Sequence, residues 1–189
     1  MKNLLTVLVL FVLAFSLSIN AQSKVGIQGT LALPMGDFGD GYDLGFGGTV
    51  TYMYMVNPNL AVTGSAGYLT WSGKDALDGA TFSSIPVLVG ARYMFGGGGK
   101  FMPYGFAQLG MHFVSSEVDV PSYTVGGITV GGGTVSASDS FFGFGAGLGF
   151  LYQLSDKMNL DVNAGYDAIS TTGSTSSYIG INAGVAIAL

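Results

Sequence analysis

Residues 178–189, YIGINAGVAIAL, alternate without a break. The odd positions, Ile179, Ile181, Ala183, Val185, Ile187 and Leu189, are apolar, whereas Tyr178, Gly180, Asn182, Gly184, Ala186 and Ala188 are mostly small or polar. Successive side chains of an extended chain point to opposite faces, so this segment makes a strand with one greasy face and one small, partly polar face. It reaches the last residue, and its pairing is expected to complete a closed sheet.

The same alternation recurs upstream. Strands are expected at Val25–Leu33, Leu44–Tyr54, Leu60–Trp71, Phe82–Phe95, Phe101–Val114, Ser140–Leu154 and Met158–Ser170. The sixth is the clearest: Phe142, Phe144, Ala146, Leu148, Phe150 and Tyr152 oppose Phe141, Gly143, Gly145, Gly147, Gly149 and Leu151. The fifth is ambiguous at its start, which fits either phase. Pro34 is expected to end the first strand because it has no N–H to donate. The connections alternate in length. Met35–Asp43, Ser72–Thr81, Val114–Asp139 and Thr171–Ser176 are long or polar, while the turns near Pro58, Gly98 and Asp156 are tight. Within the longest connection, Thr124 to Thr129 carries paired glycines suited to a hairpin turn. The sum is an all-β, eight-stranded antiparallel up-and-down barrel.

Composition says which solvent the barrel faces. Charged residues make up 9% of the chain, against roughly 25% in ordinary soluble domains. After the N-terminal region no segment reads as a long apolar helix, and only helices and closed barrels satisfy every backbone hydrogen bond in a bilayer. A transmembrane β-barrel follows. Gln28, Arg92, Gln153, Asp161, Asn163 and Asp167 all fall on the glycine-rich face, so that face lines the lumen and the bulky apolar face meets lipid. A soluble lipocalin-like barrel would invert this arrangement. Aromatic residues gather near strand ends, with Tyr52, Tyr54, Tyr93, Phe95, Phe101, Phe150 and Tyr152 toward one rim and Tyr68, Phe113, Phe142 and Tyr166 toward the other. Two such girdles suit the two lipid interfaces.

Residues 1–21 read as a cleaved signal peptide, with Lys2 before an apolar run from Leu4 to Leu17 and a small residue at Ala21. Residues 22–189 form the barrel domain. Cysteine is absent, which excludes disulfides, thiolate metal sites and a lipidated cysteine. The net charge of −5 argues against nucleic acid as a partner.

The chain resembles the small outer-membrane β-barrel proteins of Gram-negative bacteria, the porin-family or outer membrane protein β-barrel domain group. The resemblance is carried by Leu33-Pro34-Met35-Gly36-Asp37-Phe38, Ile85-Pro86-Val87 through Arg92-Tyr93, Pro103-Tyr104, and Gly145-Ala146-Gly147-Leu148-Gly149-Phe150. It implies residence in the cell outer membrane, contact with outer-membrane lipids and lipopolysaccharide, and insertion by the barrel assembly machinery. It also implies a C-terminal insertion signal, whose places are filled by Asn182, Gly184, Ile187 and Leu189, with leucine where a terminal aromatic is usual.

An eight-stranded barrel is wide enough only for its own side chains or one small ligand. The expected lumen network comprises Gln28, Arg92, Gln108, His112, Gln153, Asp161, Asn163 and Asp167. Within it Arg92 should pair with Asp161, and His112 with Asp167, because a buried unpaired charge is costly. No catalytic, cofactor or metal residues are assigned. The single histidine, His112, lies three residues before Ser115, so the two face opposite sides of a strand, which opposes a lipid-modifying enzyme. The acidic loop residues Asp37, Asp40, Asp43, Asp75, Asp78, Glu117, Asp119 and Asp139 suit a solvated rim, or cation-bridged contact with lipopolysaccharide, and lack the spacing of an EF-hand. The expected role is a non-enzymatic structural or surface-interaction barrel, with a narrow porin-like channel for small solutes or hydrophobic compounds as the alternative.

Overall fold

The structure is a computed structural model that describes residues 23–74, 77, 79–96, 99–125, 128–171 and 173–189. The expected signal peptide, residues 1–21, and the turn glycine Gly98 lie outside the described residues. Eight strands follow one another around the wall: β1 Ser23–Met35, β2 Gly45–Asn57, β3 Leu60–Ser72, β4 Ala80–Met94, β5 Phe101–Val125, β6 Ile128–Gln153, β7 Met158–Thr171 and β8 Ser174–Ala188. Each pairs antiparallel with its sequence neighbours, and β8 closes the barrel on β1 with register from Lys24↔Ala188 to Met35↔Ser177. The expected eight-stranded up-and-down barrel is the fold of this chain.

The alternation decides the two faces. Ile27, Phe46, Val89, Phe144 and Leu148 stand exposed on the outer wall, Leu148 at 66%. Gln28, Thr30, Arg92, Asp161, Asn163 and Asp167 are buried inside. Large apolar groups out and polar groups in is stable only where hydrocarbon, not water, surrounds the wall. The rim aromatics Tyr54, Tyr93, Phe95, Phe101, Tyr68, Phe113 and Tyr166 are exposed as well. The ambiguous start of β5 continues the phase of its later half, since pairing with β4 runs unbroken from Ala80↔Val118 to Met94↔Tyr104. Tyr104 therefore points inward and is 0% exposed.

Three connections differ from expectation. Pro34 does not end β1, which continues to Met35 beside β8. Beyond Ala32 the β2 edge is no longer paired, and a residue without an N–H is tolerated where one edge is open. The Met35–Asp43 segment contains a short helix, α1 (Asp37–Gly41), whose Phe38 is buried. Thr171–Ser176 is mostly strand, because β7 and β8 pair as far as Thr171↔Ser174. The longest connection is a tall ribbon in which β5 and β6 pair up to Val125↔Ile128. Its two central glycines, Gly126 and Gly127, lie outside the described residues. Pairing of β4 with β5 stops at Val118 and pairing of β6 with β7 begins at Phe142, so the ribbon rises free of the wall. Above the Val118↔Val135 pair neither strand has a second neighbour, and at roughly 3.3 Å per residue Ile128 to Val135 reaches roughly 23 Å.

Small residues on the inner face let neighbouring side chains lie flat along the wall. Gly45 gives space to the Trp71 indole, which donates Nε1–H to Ala32 O at 3.1 Å. On β6, a Cβ at Gly147 would overlap Ala164 O and the Gly165 backbone. Gly147→Leu should therefore lower stability by about 1–3 kcal/mol through overpacking. Gly64 has open space around it and no positive φ, so Gly64→Ala should be neutral. Urea unfolding of both variants refolded in lipid vesicles checks the contrast.

Candidate functional site

The lumen is built in layers, each placed by the register. At the level nearer the short turns, Asp161 on β7 is 0% exposed and its carboxylate is fully engaged. Arg92 Nη1 on β4 donates to Oδ2 at 2.7 Å, and Tyr104 OH on β5 donates to Oδ1 at 2.6 Å. The Arg92 guanidinium also lies over the Tyr104 ring, 4.7 Å from its centroid, adding a cation–π contact. Gln28 Nε2 on β1 donates to the main-chain O of Asp161 at 3.3 Å. Tyr104 reaches across because Gly149 stands between it and β7: Tyr104 pairs with Gly149, and Gly149 with Asn163.

The next level repeats the device. Gln108 is paired with Gly145, and Gly145 with Asp167. With no side chain at Gly145, Gln108 Nε2 donates to Asp167 Oδ1 at 2.9 Å. On the other side of the barrel, Asn182 Nδ2 donates to Asn163 Oδ1 at 2.8 Å, and Thr30 Oγ1 donates to Asn182 Oδ1 at 2.6 Å. Thr30 in turn lies 3.3 Å from Thr49 Oγ1. This belt crosses β7, β8, β1 and β2. Among the described residues no buried side-chain nitrogen or oxygen lacks a partner.

His112 and Asp167 are not paired with each other, contrary to the sequence expectation. His112 lies four residues beyond Gln108 on β5, one layer higher, and its Nδ1 shares a hydrogen bond with Ser84 Oγ at 3.1 Å. Asp167 is answered by Gln108 instead. Gln153 also stays out of the network. It is half-buried below the Asp161 level, and its main-chain N–H donates to Lys100 O at 2.7 Å.

Apolar clusters flank the polar region at both ends. Toward the short turns lies a cluster of Met53, Ala61, Met94, Tyr104, Leu151 and Ala186. Toward the long loops lies a cap in which α1 inserts Phe38 among Trp71, Phe82 and Tyr42, with centroid separations of 5.4, 5.3 and 5.0 Å. Tyr178 packs on Trp71 at 5.4 Å. Burial in this cap raises the Tyr42 phenol above its ordinary pKa. Between the clusters is a cavity of about 50 Å³ bordered by Thr51, Ser65, Arg92, Gln108 and Asp167.

This arrangement bears on chemistry. Ser84 and His112 form a nucleophile-and-base geometry that sequence spacing pointed away from, since Ser115 was the neighbour considered. Each is 1% exposed, so no substrate reaches them in this conformation. Among the described residues, no group of three or more His, Cys, Asp or Glu side chains is placed to hold a metal ion. Asp37, Asp40, Asp43, Glu117 and Asp139 are exposed; Asp75, Asp78 and the side chain of Asp119 lie outside the described residues.

Of the C-terminal residues, Asn182 belongs to the polar belt, Gly184 lies against the β1 backbone at Ile27, and Ile187 and Leu189 face outward. Tyr104, Ser84, Thr30, Thr49 and the Phe38–Trp71 cap were not among the site residues expected from sequence. The signal for Tyr104 was hidden by the ambiguous phase of β5, and those for Ser84 and Phe38 by their ordinary loop-like or polar neighbours.

A buried pair broken on one side leaves an uncompensated charge. Asp161→Leu should cost about 3–5 kcal/mol, whereas the double variant Arg92→Met with Asp161→Leu should lose less than the single one. Equilibrium unfolding in a double-mutant cycle measures this difference.

Comparison with known proteins places the architecture. The family described as outer membrane protein beta-barrel domain matches residues 5–187. Among solved structures, Neisserial surface protein A is similar at a TM-score of 0.65 and 20% identity, covering 89% of this chain and 97% of that one. A major outer membrane protein from Thermus thermophilus gives 0.62 at 15% identity, covering 88% and 99%. The attachment invasion locus protein Ail of Yersinia pestis gives 0.56 at 18% identity, covering 87% and 97%. At these identities the likeness carries the fold. No curated protein matches the sequence.

Proposed function

The chain belongs to the outer membrane protein beta-barrel domain family, and we propose that it works in the outer membrane as a non-enzymatic barrel that displays the β5–β6 ribbon for contacts at the cell surface. The observation that carries this reading is the contrast between a narrow, largely filled interior and a projecting, exposed ribbon. The Arg92–Asp161–Tyr104 network and the Phe38–Trp71 cluster cross the lumen at separate levels, and the cavity of about 50 Å³ has room for only a few waters. The ribbon, by contrast, leaves the wall at Val118 and Phe142, and its described residues from Thr134 to Ser140 are exposed. Two structurally similar proteins bear names of surface or attachment proteins, in keeping with a role outside the cell.

Export of a chain cleaved after Ala21, insertion by the barrel assembly machinery using Asn182, Gly184, Ile187 and Leu189, and contact of the acidic rim with lipopolysaccharide through bridging cations belong to the same proposal. The channel alternative requires a continuous path, and the side chains that cross the lumen at Arg92–Asp161–Tyr104 and at Phe38–Trp71 count against it. Lipid modification requires an accessible nucleophile, which the burial of Ser84 and His112 opposes.

Two measurements test this. In planar bilayers the protein should show no steady conductance, and Arg92→Ala should raise it only if that side chain was the remaining obstacle; steady ion flow through the unaltered protein sinks the surface reading. Replacing residues 121–132 by a short Asn-Gly turn should leave the barrel folded, as judged by its faster migration on unheated gels. The same change should abolish binding of whole cells to surfaces that the parent strain holds. Unchanged attachment would assign that contact to another part of the molecule.

A further inference from the structure

Arg92, Asp161 and Asp167 are the charged side chains buried in the lumen among the described residues. Arg92 and Asp161 neutralise each other at 2.7 Å. Asp167 is different. It is 6% exposed, the neutral amide of Gln108 donates to its Oδ1, and no lysine or arginine among the described residues forms an ion pair with it. His112, the remaining nitrogen base of the lumen, is engaged with Ser84. Lys24, nearer the short turns, is influenced by Asp161. A carboxylate taken out of water without a counter-charge is strongly disfavoured, so Asp167 must either hold a proton or be balanced by a cation.

The space beside it is suited to that task. Asp167 borders the inner cavity of about 50 Å³, and a water-sized occupant needs only about 10–15 Å³ by this measure. Thr49, Thr51 and Ser65 bring hydroxyls to the same cavity, and Gln108, Asn163 and Asn182 bring amide groups. Gln108 donates its nitrogen to Asp167, which leaves its carbonyl oxygen as an acceptor. Asn163 Oδ1 and Asn182 Oδ1 each accept one hydrogen bond from within the belt, and an amide oxygen has a second lone pair. Arg92 also borders the cavity, with its charge already matched by Asp161.

We propose that this cavity is a binding site for one monovalent alkali cation, held by the Asp167 carboxylate and completed by hydroxyl and amide oxygens and enclosed water. One carboxylate balances one positive charge. Divalent calcium draws on several carboxylates in its sites, and Asp167 is the lone acidic side chain in the lining. Apolar clusters lie above and below the site, the upper one including Phe38 from the loop helix. The site is independent of any surface role of the ribbon.

The test uses the whole barrel refolded in lipid vesicles. Urea unfolding is followed by Trp71, the single tryptophan, in sodium, potassium or choline chloride at one ionic strength. At a free ion concentration about ten times Kd, the unfolding constant should fall about tenfold relative to choline. Asp167→Asn should abolish that difference. Crystals of the parent protein soaked with thallium(I) should show an anomalous peak beside the Asp167 carboxylate, a measurement that stands even if the variant does not fold. Equal midpoints in the three salts, together with no thallium peak there, overturn the proposal and make a proton the counter-charge of Asp167. If the two measurements disagree, the thallium map decides.

Discussion

A strand immersed in hydrocarbon has no water to satisfy its N–H and C=O groups, so every one of them must be bonded within the protein. In this chain that requirement is met by a closed ladder whose last seam joins β8 to β1 from Lys24↔Ala188 to Met35↔Ser177. Closure also fixes height. Once the ladder is complete, each inward side chain is assigned to one level of the lumen, and a slip of a single residue would turn every side chain of that strand to the opposite face. The pairing of Arg92 with Asp161, residues 69 positions apart in sequence, is a result of register before it is a result of electrostatics.

The second determinant is the distribution of bulk around the inner wall. β6 contributes glycine at four successive inward positions, Gly143, Gly145, Gly147 and Gly149, and its neighbours fold over it. Tyr104, Phe106, Gln108 and His112 from β5 and Asn163 and Asp167 from β7 take up that volume. Glycine in a strand is usually a weakness; here it is the recess that lets side chains two strands apart meet. The same logic seats Trp71 over Gly45 and Ala32. Bulk and absence of bulk are therefore complementary around the circumference, and the lumen is filled although one strand contributes almost nothing to it.

Much of this was legible in the sequence because strand alternation is local. The faces of β6 and β8, the strand number and the inward direction of Arg92, Asp161, Asn163 and Asp167 depend only on counting by two. What was not legible depends on neighbours. His112 was expected to meet Asp167 from a shared approximate depth, but depth to within one layer requires the register of β5 on β6, which no single strand encodes. Tyr104 was hidden because the phase of Phe101–Pro103 is set by pairing with β6. Phe38 lies in a segment rich in glycine and aspartate that reads as an ordinary turn, and its burial depends on an aromatic recess assembled from β3, β4 and β8. Pro34 was read as a terminator by its missing N–H alone, whereas its tolerance depends on which edge of β1 is still paired.

The ribbon has a built-in joint. Gly132 and Gly133 adopt positive φ values of 89° and 139°, and the pairs Val120↔Gly133 and Ser122↔Gly131 flank Pro121, which has no N–H to give. The ladder is thus interrupted partway up, dividing the projection into a lower section continuous with the wall and an upper arm. Two strands that meet only each other set no register for the rest of the wall, so changes of length above the break leave the pairing below it in place.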